Sequence, residues 1–357
     1  MRTRTRPTIV TVIVLAALFG CSPRGPSTFM GIVQPYETNI GPGGSVIVVR
    51  GDSVLFEHAF GLASLEEKRP NTPATSFRLA SVTKQFTAAC ILLLRDRGLL
   101  SLQQPISDFF PKFSSVGRSV TVHHLLTHTS GLLAYEDLMP DSTTVPVLDR
   151  DVLTLVGSVD SAYFAPSTRF RYSNTGYALL ALIVEKVSGV SFAEFLRREI
   201  FVPLGMESSV AFEEGRSSVP VRAFGYSPDD SAAEGFRFTD QSTTSSVLGD
   251  GGIYTSVRDL VNWHRSWQEG TILTPAAVRE ATTVHATSPD SSSFYGYGWY
   301  LEEFNGKQCA YHTGSTIGFR NALFRVPEVS LLVVVLMNRN DGAAEKIGRE
   351  LLELALE

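Results

Sequence analysis

The amino-acid sequence predicts an α+β fold in which one sheet is assembled from both ends of the chain and a mainly helical segment is inserted between them. Residues 45–50 and 53–60 are β-rich runs joined by Gly51-Asp52, which is typical of a hairpin. Residues 330–336 consist almost entirely of Val and Leu, which indicates a buried strand. Strands so far apart in sequence imply a sheet built from distant segments.

The helical elements follow from spacing and from helix breakers. Residues 342–357 carry apolar side chains at helical intervals, so we expect a closing helix at the end of the chain. From about residue 81 to about residue 290 the pattern is mainly helix and loop, interrupted by prolines. Within this part, residues 217–246 are polar and irregular, and we expect surface loops around a cleft.

The N-terminus has the pattern of an export signal. Three arginines within the first six residues precede an apolar run, which ends at Gly20-Cys21. This arrangement resembles a bacterial lipoprotein signal, in which Cys21 would be lipidated, although Phe19 is bulkier than usual; the alternative is an ordinary secretory signal. We therefore predict an export signal over residues 1–21, a tether over 22–27 that is rich in Pro, Gly and Ser, and an enzyme domain over 28–357. The expected location is the periplasm or cell envelope, with membrane attachment through the lipid.

Chain length, net charge and cysteine content limit the domain organisation, the partners and the disulfides that can be expected. A chain of 357 residues can form one composite domain or two lobes. A formal net charge of -5 argues against nucleic acid as a partner. Besides Cys21 the chain contains only Cys90 and Cys309, and their positions do not justify predicting a disulfide.

Ser81 and Lys84 are the first candidate catalytic residues. They stand three residues apart where an apolar helical pattern begins, which puts both side chains on one face of the first turn. A serine hydroxyl becomes a good nucleophile when a neighbouring base removes its proton. A lysine serves as that base when its surroundings lower its pKa. The alternative is a serine that caps a helix, followed by a solvated lysine.

Two later motifs favour the catalytic interpretation. Tyr172-Ser173-Asn174 precedes another amphipathic helical segment, and His312-Thr313-Gly314 precedes the β-rich C-terminal stretch. Taken alone, Tyr172 is more often a structural tyrosine. A hydroxyl nucleophile, an amine, a phenol and an amide in this chain order make up a complete acyl-transfer site.

The three motifs and several shorter ones resemble the serine beta-lactamase-related family. That family includes class C beta-lactamases, D-alanyl-D-alanine carboxypeptidases, D-aminopeptidases and related esterases. The resemblance covers residues from about 45 to the C-terminus. The matching segments are Phe77-Arg78-Leu79-Ala80-Ser81-Val82-Thr83-Lys84-Gln85-Phe86-Thr87-Ala88, Leu125-Leu126-Thr127-His128-Thr129-Ser130-Gly131-Leu132, Tyr172-Ser173-Asn174-Thr175-Gly176-Tyr177, Pro203-Leu204-Gly205-Met206, Gly251-Gly252, Gly296-Tyr297-Gly298-Trp299 and His312-Thr313-Gly314.

The resemblance implies a beta-lactamase/transpeptidase-like fold. In that fold an antiparallel sheet is flanked by terminal helices, and a mainly helical lobe is inserted into the mixed lobe, with the active site between them. Transferred to this chain, the mixed lobe would comprise about 28–80 and 291–357, and the helical lobe about 81–290.

The resemblance also implies a role for each motif residue. Ser81 would be the acylated nucleophile, Lys84 its proton partner, and Tyr172 the phenol that carries protons to the leaving group, either as a phenolate or through a concerted relay. Asn174 would hold the acyl-side amide of the substrate and orient Lys84. The backbone N–H groups of Ser81 and Ser315 would form the oxyanion hole.

The third motif departs from dedicated beta-lactamases, which carry Lys-Thr-Gly at this point. His312 is mostly neutral near pH 7, so binding of a substrate carboxylate should be weaker. The hydroxyls of Thr313 and Ser315 would still receive a carboxylate, and Gly314 would let the substrate backbone approach closely. We therefore count His312, Thr313, Gly314 and Ser315 with Asn174 as substrate-binding residues.

Other catalytic interpretations fit less well. His124 and His128 have the i, i+4 spacing of a zinc helix, but the glutamate of H-E-x-x-H is missing. Ser130 lacks the glycine that precedes the nucleophile by two residues in the G-x-S-x-G elbow. We expect neither a metal nor an organic cofactor.

The expected protein is an exported serine hydrolase that cleaves an amide or ester of a small molecule or peptide through an acyl-enzyme on Ser81. D-alanyl carboxypeptidase-like or esterase-like activity fits best, and beta-lactam recognition is compatible with the site. The alternative is a penicillin-binding sensor or binding protein of the same fold that does not turn over. The complete set of Ser81, Lys84, Tyr172 and Asn174 favours the enzyme.

Overall fold

The computed structural model describes residues 28–232, 234–288 and 293–357. The predicted export signal, the lipidation site Cys21 and the tether lie outside these ranges. None of the helices in the described ranges has the length and apolar character needed to span a bilayer.

Fifteen strands are present in the described residues, and eight of them form one antiparallel sheet in the order β10-β11-β12-β13-β14-β15-β1-β2. The remaining strands form a three-stranded sheet, β5-β9-β6, and the pairs β3-β4 and β7-β8. The strands are β1 Gly44–Arg50, β2 Ser53–Phe60, β3 Leu62–Ser64, β4 Arg69–Pro70, β5 Phe77–Arg78, β6 Val210–Ala211, β7 Tyr226–Pro228, β8 Phe236–Phe238, β9 Ile253–Thr255, β10 Ala286–Thr287, β11 Phe294–Tyr295, β12 Tyr300–Phe304, β13 Lys307–Thr316, β14 Phe319–Val326 and β15 Leu331–Met337.

Most helices come from the middle of the chain. The α-helices of the described residues are α1 Phe29–Val33, α2 Lys84–Asp96, α3 Ile106–Phe109, α4 Val122–Leu126, α5 Asp149–Gly157, α6 Asn174–Ser188, α7 Phe192–Leu196, α8 Leu248–Gly251, α9 Val257–Glu269, α10 Pro275–Ala281 and α11 Ala344–Leu356. A π-helical turn, Arg197–Phe201, continues α7. Short 3-10 turns occupy Gln34–Tyr36, Ala80–Thr83, Ser115–Arg118, Tyr135–Leu138 and Pro327–Val329.

The large sheet is covered on both faces, and the alternation of β1 shows how. Val46 and Val48 pack with α1 and α11 in one apolar core, whereas Ile47 and Val49 pack with the central helices in the other. Because side chains of a strand alternate between faces, a strand buried on both sides is apolar throughout. The same holds for β15, where every residue is buried. The large sheet therefore lies between two apolar cores.

Most of the predicted elements are confirmed. The hairpin joins β1 and β2, the Val/Leu run is β15, and the closing helix is α11. The structure corrects one expectation: residues 217–246 are not entirely irregular, because β7 and β8 form a small hairpin there. Strands of two or three residues carry no periodicity that a sequence pattern reveals. Cys90 and Cys309 are free and buried in the cores on opposite faces of the sheet.

Candidate active site

Ser81 lies at a sharp change of chain direction between the small sheet and α2. The preceding residue, Ala80, has φ 49° and is buried, so an alanine is held in the left-handed region. That conformation costs an L-residue roughly 1–2 kcal/mol. The 3-10 turn Ala80–Thr83 runs directly into α2. Strain of this kind recurs where a reactive side chain must be presented at a fixed angle.

The Lys84 ammonium lies at the centre of the site. Its Nζ donates to Ser81 Oγ at 3.2 Å, to Asn174 Oδ1 at 2.9 Å and to the backbone oxygen of Asp250 at 3.0 Å. Lys84 is fully buried. Burial lowers the pKa of Lys84 to about 8, although the nearby Asp250 and Glu136 charges act in the opposite direction. A neutral amine is therefore accessible close to neutral pH, next to the serine hydroxyl.

Tyr172 faces the same amine. Lys84 Nζ is 4.8 Å from the centre of its ring. The Tyr172 hydroxyl is buried and has no well-aligned hydrogen-bond partner among the described residues, although Ser81 is close enough to favour the phenolate form. Burial raises the pKa of Tyr172 well above its usual value, and this effect outweighs that of Ser81. Of the two roles expected for Tyr172, the concerted relay therefore fits and a resting phenolate does not.

Asn174 connects the amine to an acidic group that the sequence analysis did not identify. It begins α6, whose N-cap Ser173 accepts a hydrogen bond from the Gly176 amide. Asn174 Oδ1 accepts a hydrogen bond from Lys84 Nζ, while Asn174 Nδ2 donates to Glu136 Oε1 at 2.8 Å. The two ends of one amide thus link the buried cation to an exposed carboxylate.

The β13 strand lies beside this cluster, and its residues play different parts. The side chain of His312 is buried; its Nδ1–H donates to the Thr313 carbonyl and its Nε2 accepts from the Tyr295 hydroxyl at 3.3 Å. Burial lowers the pKa of His312 to about 3, so the ring is neutral at pH 7. The centre of its ring is 6.1 Å from that of Tyr172, and His312 is not among the residues that line the cavity at Ser81, so substrate binding by its side chain stays a prediction.

Gly314 has a structural role that was not expected from the sequence. A Cβ at this position would lie 2.1 Å from the backbone oxygen of Leu79. The glycine is therefore required by close packing of β13 on the segment that leads to Ser81. Neighbouring Thr313 is half-buried, while Ser315 is exposed and faces the cavity. Ser315 therefore lines the same cavity as Ser81, and the approach of a substrate backbone at Gly314 stays a prediction.

A small polar cavity of about 90 Å³ opens at Ser81. It joins three of the predicted site residues, Ser81, Asn174 and Ser315, to residues for which the sequence predicted no role in the site. Its other lining residues are Arg78, Ala80, Tyr135, Glu136, Thr244, Asp250, Gly251 and Thr316.

Two carboxylic acids in that lining, Glu136 and Asp250, were missed at the sequence level. Glu136 is exposed in the turn after α4, and Asp250 is buried in α8. Asp149 caps α8 by accepting from the Leu248 and Gly249 amides at 2.8 and 3.0 Å. Burial raises the pKa of Asp250, while Lys84 lowers it. The only sequence signal was Gly251-Gly252, directly after Asp250.

The positive charge of Arg78 is not free to bind a substrate anion. Its guanidinium donates to the backbone oxygens of Gly251 and Ser245 and to Gln241. The accessible charges at this cavity are therefore mainly acidic.

The alternative zinc and serine-elbow interpretations find no support. His124 donates to Ser167 Oγ at 2.7 Å, while His128 is buried against Tyr172. Across residues 28–232, 234–288 and 293–357, no three His, Cys, Asp or Glu side chains are grouped so as to hold a metal ion. Ser130 is buried in a turn, where its Oγ accepts from the Leu132 amide.

A serine, a buried lysine, a tyrosine and an asparagine beside a strand of a large antiparallel sheet are the features of serine hydrolases with a beta-lactamase-type fold. The sequence profile of the Beta-lactamase family matches residues 32–357. The chain belongs to this family of serine hydrolases.

Similar proteins of known name support this assignment. A penicillin-binding protein of Bacillus subtilis (strain 168) is 31% identical over 311 residues, which cover 84% of this chain and 68% of that protein. A D-aminopeptidase of Gluconobacter oxydans (strain 621H) is 30% identical over 319 residues; the match covers 88% of this chain but only 59% of that protein's length.

Solved structures show the same fold. The octameric penicillin-binding protein homologue from Pyrococcus abyssi superposes with a TM-score of 0.79 at 31% identity, covering 91% of this chain and 75% of that one. A class C beta-lactamase has a TM-score of 0.77 at 22% identity, covering 92% of this chain and 95% of that one, and at that identity the likeness concerns the fold alone.

Proposed function

We propose that this protein hydrolyses an amide or ester through an acyl-enzyme on Ser81, and that its preferred acyl group carries an amino group close to the reacting carbonyl. The observation that carries the second part is the Glu136 carboxylate, which shares a cavity with Ser81 and holds Asn174 at 2.8 Å.

The proton path follows from the contacts of Lys84. In its neutral form the amine accepts the proton of Ser81 as the hydroxyl oxygen attacks the substrate carbonyl. The Tyr172 hydroxyl passes its proton to the departing group while Lys84 returns one to it. Water then attacks the acyl group along the reverse path and releases the acid. The backbone N–H groups of Ser81 and Ser315 are the proposed donors to the carbonyl oxygen.

The charge around the cavity decides between substrate types. Glu136 is the exposed charge in the cavity lining, whereas Asp250 is buried beside Lys84 and Arg78 is occupied by protein oxygens. A neutral His312 adds no positive charge to the site. An aminoacyl substrate therefore fits better than a peptide with a free carboxylate. The name of the Gluconobacter relative, D-aminopeptidase, agrees with this preference.

The position of Glu136 is fixed by a neighbouring helix. In the 3-10 turn that carries it, the Tyr135 amide donates to Thr175 Oγ1 at 2.9 Å, and that hydroxyl donates to the Leu133 oxygen. Thr175 belongs to α6, directly after Asn174. The carboxylate and the catalytic amide are therefore parts of one hydrogen-bonded unit.

Rates on paired substrates test the proposal. D-alanine p-nitroanilide and its N-acetyl derivative have the same leaving group and differ in the charge of the amino group. Glu136→Gln keeps an oxygen that can accept from Asn174 but removes the charge. Because Glu136 is exposed, an ion pair there contributes about 1 kcal/mol, equivalent to about fivefold in kcat/KM. We expect that loss for the free amine and none for the acetylated compound.

Ser81→Ala is the control for the chemistry. It should fold, lose activity on both substrates and form no adduct in intact-protein mass spectrometry after exposure to a fluorescent penicillin. Full activity of Ser81→Ala would refute the proposal that hydrolysis proceeds through an acyl-enzyme on Ser81. A stable penicillin adduct on the wild-type protein without turnover of either anilide would instead favour the sensor.

A further inference from the structure

His128 lies in the turn after α4 and has a backbone conformation that must be held in place. It is fully buried, with φ 60°, and it belongs to none of the steps proposed above. Non-glycine residues adopt this region when surrounding contacts impose it. Several contacts of His128 lead to one segment, Arg171–Ser173.

Two hydrogen bonds from His128 bracket Tyr172. The backbone oxygen of His128 accepts from the Arg171 amide at 2.9 Å. The imidazole Nδ1 accepts from the Ser173 amide at 3.0 Å. Because these amides belong to the residues on either side of Tyr172, one histidine fixes the backbone from which the phenol projects.

The imidazole also packs against the phenol ring. The centres of the His128 and Tyr172 rings are 4.4 Å apart and tilted by 35°. On another side the His128 ring contacts Tyr295 at 4.5 Å. Lys84 Nζ lies 4.8 Å from the centre of the Tyr172 ring. Rotation of Tyr172 away from this amine would break the ring contact with His128.

The contacts fix the tautomer of the histidine. Nδ1 accepts a hydrogen bond, so the proton of the neutral ring resides on Nε2, which is buried and has no hydrogen-bond partner among the described residues. Burial, together with the nearby Lys84 charge, holds the pKa of His128 well below its usual range. The ring therefore stays an acceptor towards Ser173 throughout the working pH range.

We propose that His128 is a positioning residue for proton transfer by Tyr172, acting through its Nδ1 bond to the Ser173 amide and its ring contact with the phenol. This inference rests on the proposed function, because it assumes that Tyr172 protonates the leaving group.

The test compares two substrates whose leaving groups differ in whether they must be protonated as they depart. An anilide must be protonated as it departs, whereas p-nitrophenolate leaves without a proton. A misplaced Tyr172 therefore slows D-alanine p-nitroanilide much more than p-nitrophenyl acetate. A general loss of folded protein slows both equally.

His128→Leu keeps the approximate volume and removes the acceptor. We expect it to lose about 100-fold in kcat on the anilide, less than tenfold on the ester, and little in KM. His128→Asn should recover most of the anilide rate, because its Oδ1 can replace Nδ1 and asparagine tolerates φ near 60°. Equal losses on both substrates, or no difference between Leu and Asn, would overturn the proposal.

Two further variants separate the ways in which the proposal can fail. Tyr172→Phe should show the same unequal loss; if its losses are equal on both substrates, the proposed role of Tyr172 fails and takes this inference with it. If only His128→Leu shows equal losses, the inference alone fails. Should His128→Leu not fold, His128→Gln replaces it, because glutamine places its acceptor near Nε2 and should not rescue the anilide rate.

Discussion

Replacing Asp250 with Asn should shift the pH dependence of Ser81 acylation towards acid. The Lys84 amine must be neutral to take the serine proton, and burial lowers its pKa to about 8. About one tenth of the amine is then free at pH 7, so the rate should rise about tenfold per unit up to pH 8 and level off above it.

The size of the shift follows from the charge that is removed. Asp250 raises the pKa of Lys84, and loss of a neighbouring opposite charge typically changes a pKa by about 1–3 units. Burial raises the pKa of Asp250 itself only to about 6, so its carboxylate is ionised where Lys84 titrates, and we take the low end of that range, about one unit. At pH 7 about half of the amine would then be free, and acylation should be about fivefold faster than in the wild type, with an unchanged plateau.

The assay is kcat/KM for p-nitrophenyl acetate between pH 5 and 10. The Asp250→Asn variant retains the backbone oxygen that receives Lys84 Nζ, so the geometry of the amine should persist. Asp149→Asn is the matched control, because Asp149 caps α8 and does not contact Lys84 directly. If the rate of a folded Asp250→Asn protein levelled off at the same pH as that of the wild type, or at a higher pH, this account of the Lys84 charge would be refuted.

Three other substitutions test the packing around the site. Gly314→Ala places a methyl group against the Leu79 oxygen and should lower the rate of Ser81 labelling by a fluorescent penicillin at least tenfold, since a shift of the strand displaces the reacting atoms. Asn338→Ala removes an amide that accepts from one backbone amide and donates to two backbone oxygens, and urea unfolding should show a loss of about 3 kcal/mol or more. Ala80→Gly relieves the left-handed strain and should leave the free energy of unfolding unchanged or raise it by up to about 1 kcal/mol; a clear loss would contradict that strain.

Sequence reasoning worked best where chemistry and local spacing coincide. The 3-residue interval of Ser81 and Lys84 is a property of one helical turn, so their proximity could be expected before any tertiary contact was known. Tyr172 and Asn174 were expected through the family resemblance, and the structure brings them to the same amine.

The acidic side of the cavity could not be predicted in the same way. Glu136 and Asp250 are far apart in the chain, and single carboxylates among many surface acids carry no pattern. Their importance depends on which loops meet at Ser81, which is a tertiary property. The part of His128 could not be predicted either: its spacing from His124 matched only part of a zinc motif, which the missing glutamate excluded, and its contacts with Tyr172 and Ser173 depend on the tertiary structure.

The pairing of Gly44 with Met337 and of Arg50 with Leu331 has a consequence for how the chain folds. These two neighbouring strands are far apart in sequence, so β1 cannot pair with β15 until all the elements between them have been made. The entropy of closing so long a loop is modest, but non-local pairing slows folding and leaves strand edges exposed meanwhile. In a circular permutant, the chain would be opened at the Gly51-Asp52 turn, and α11 would be linked to α1, which packs in the same apolar core. β15 and β1 would then be successive strands, and we expect this permutant to refold faster.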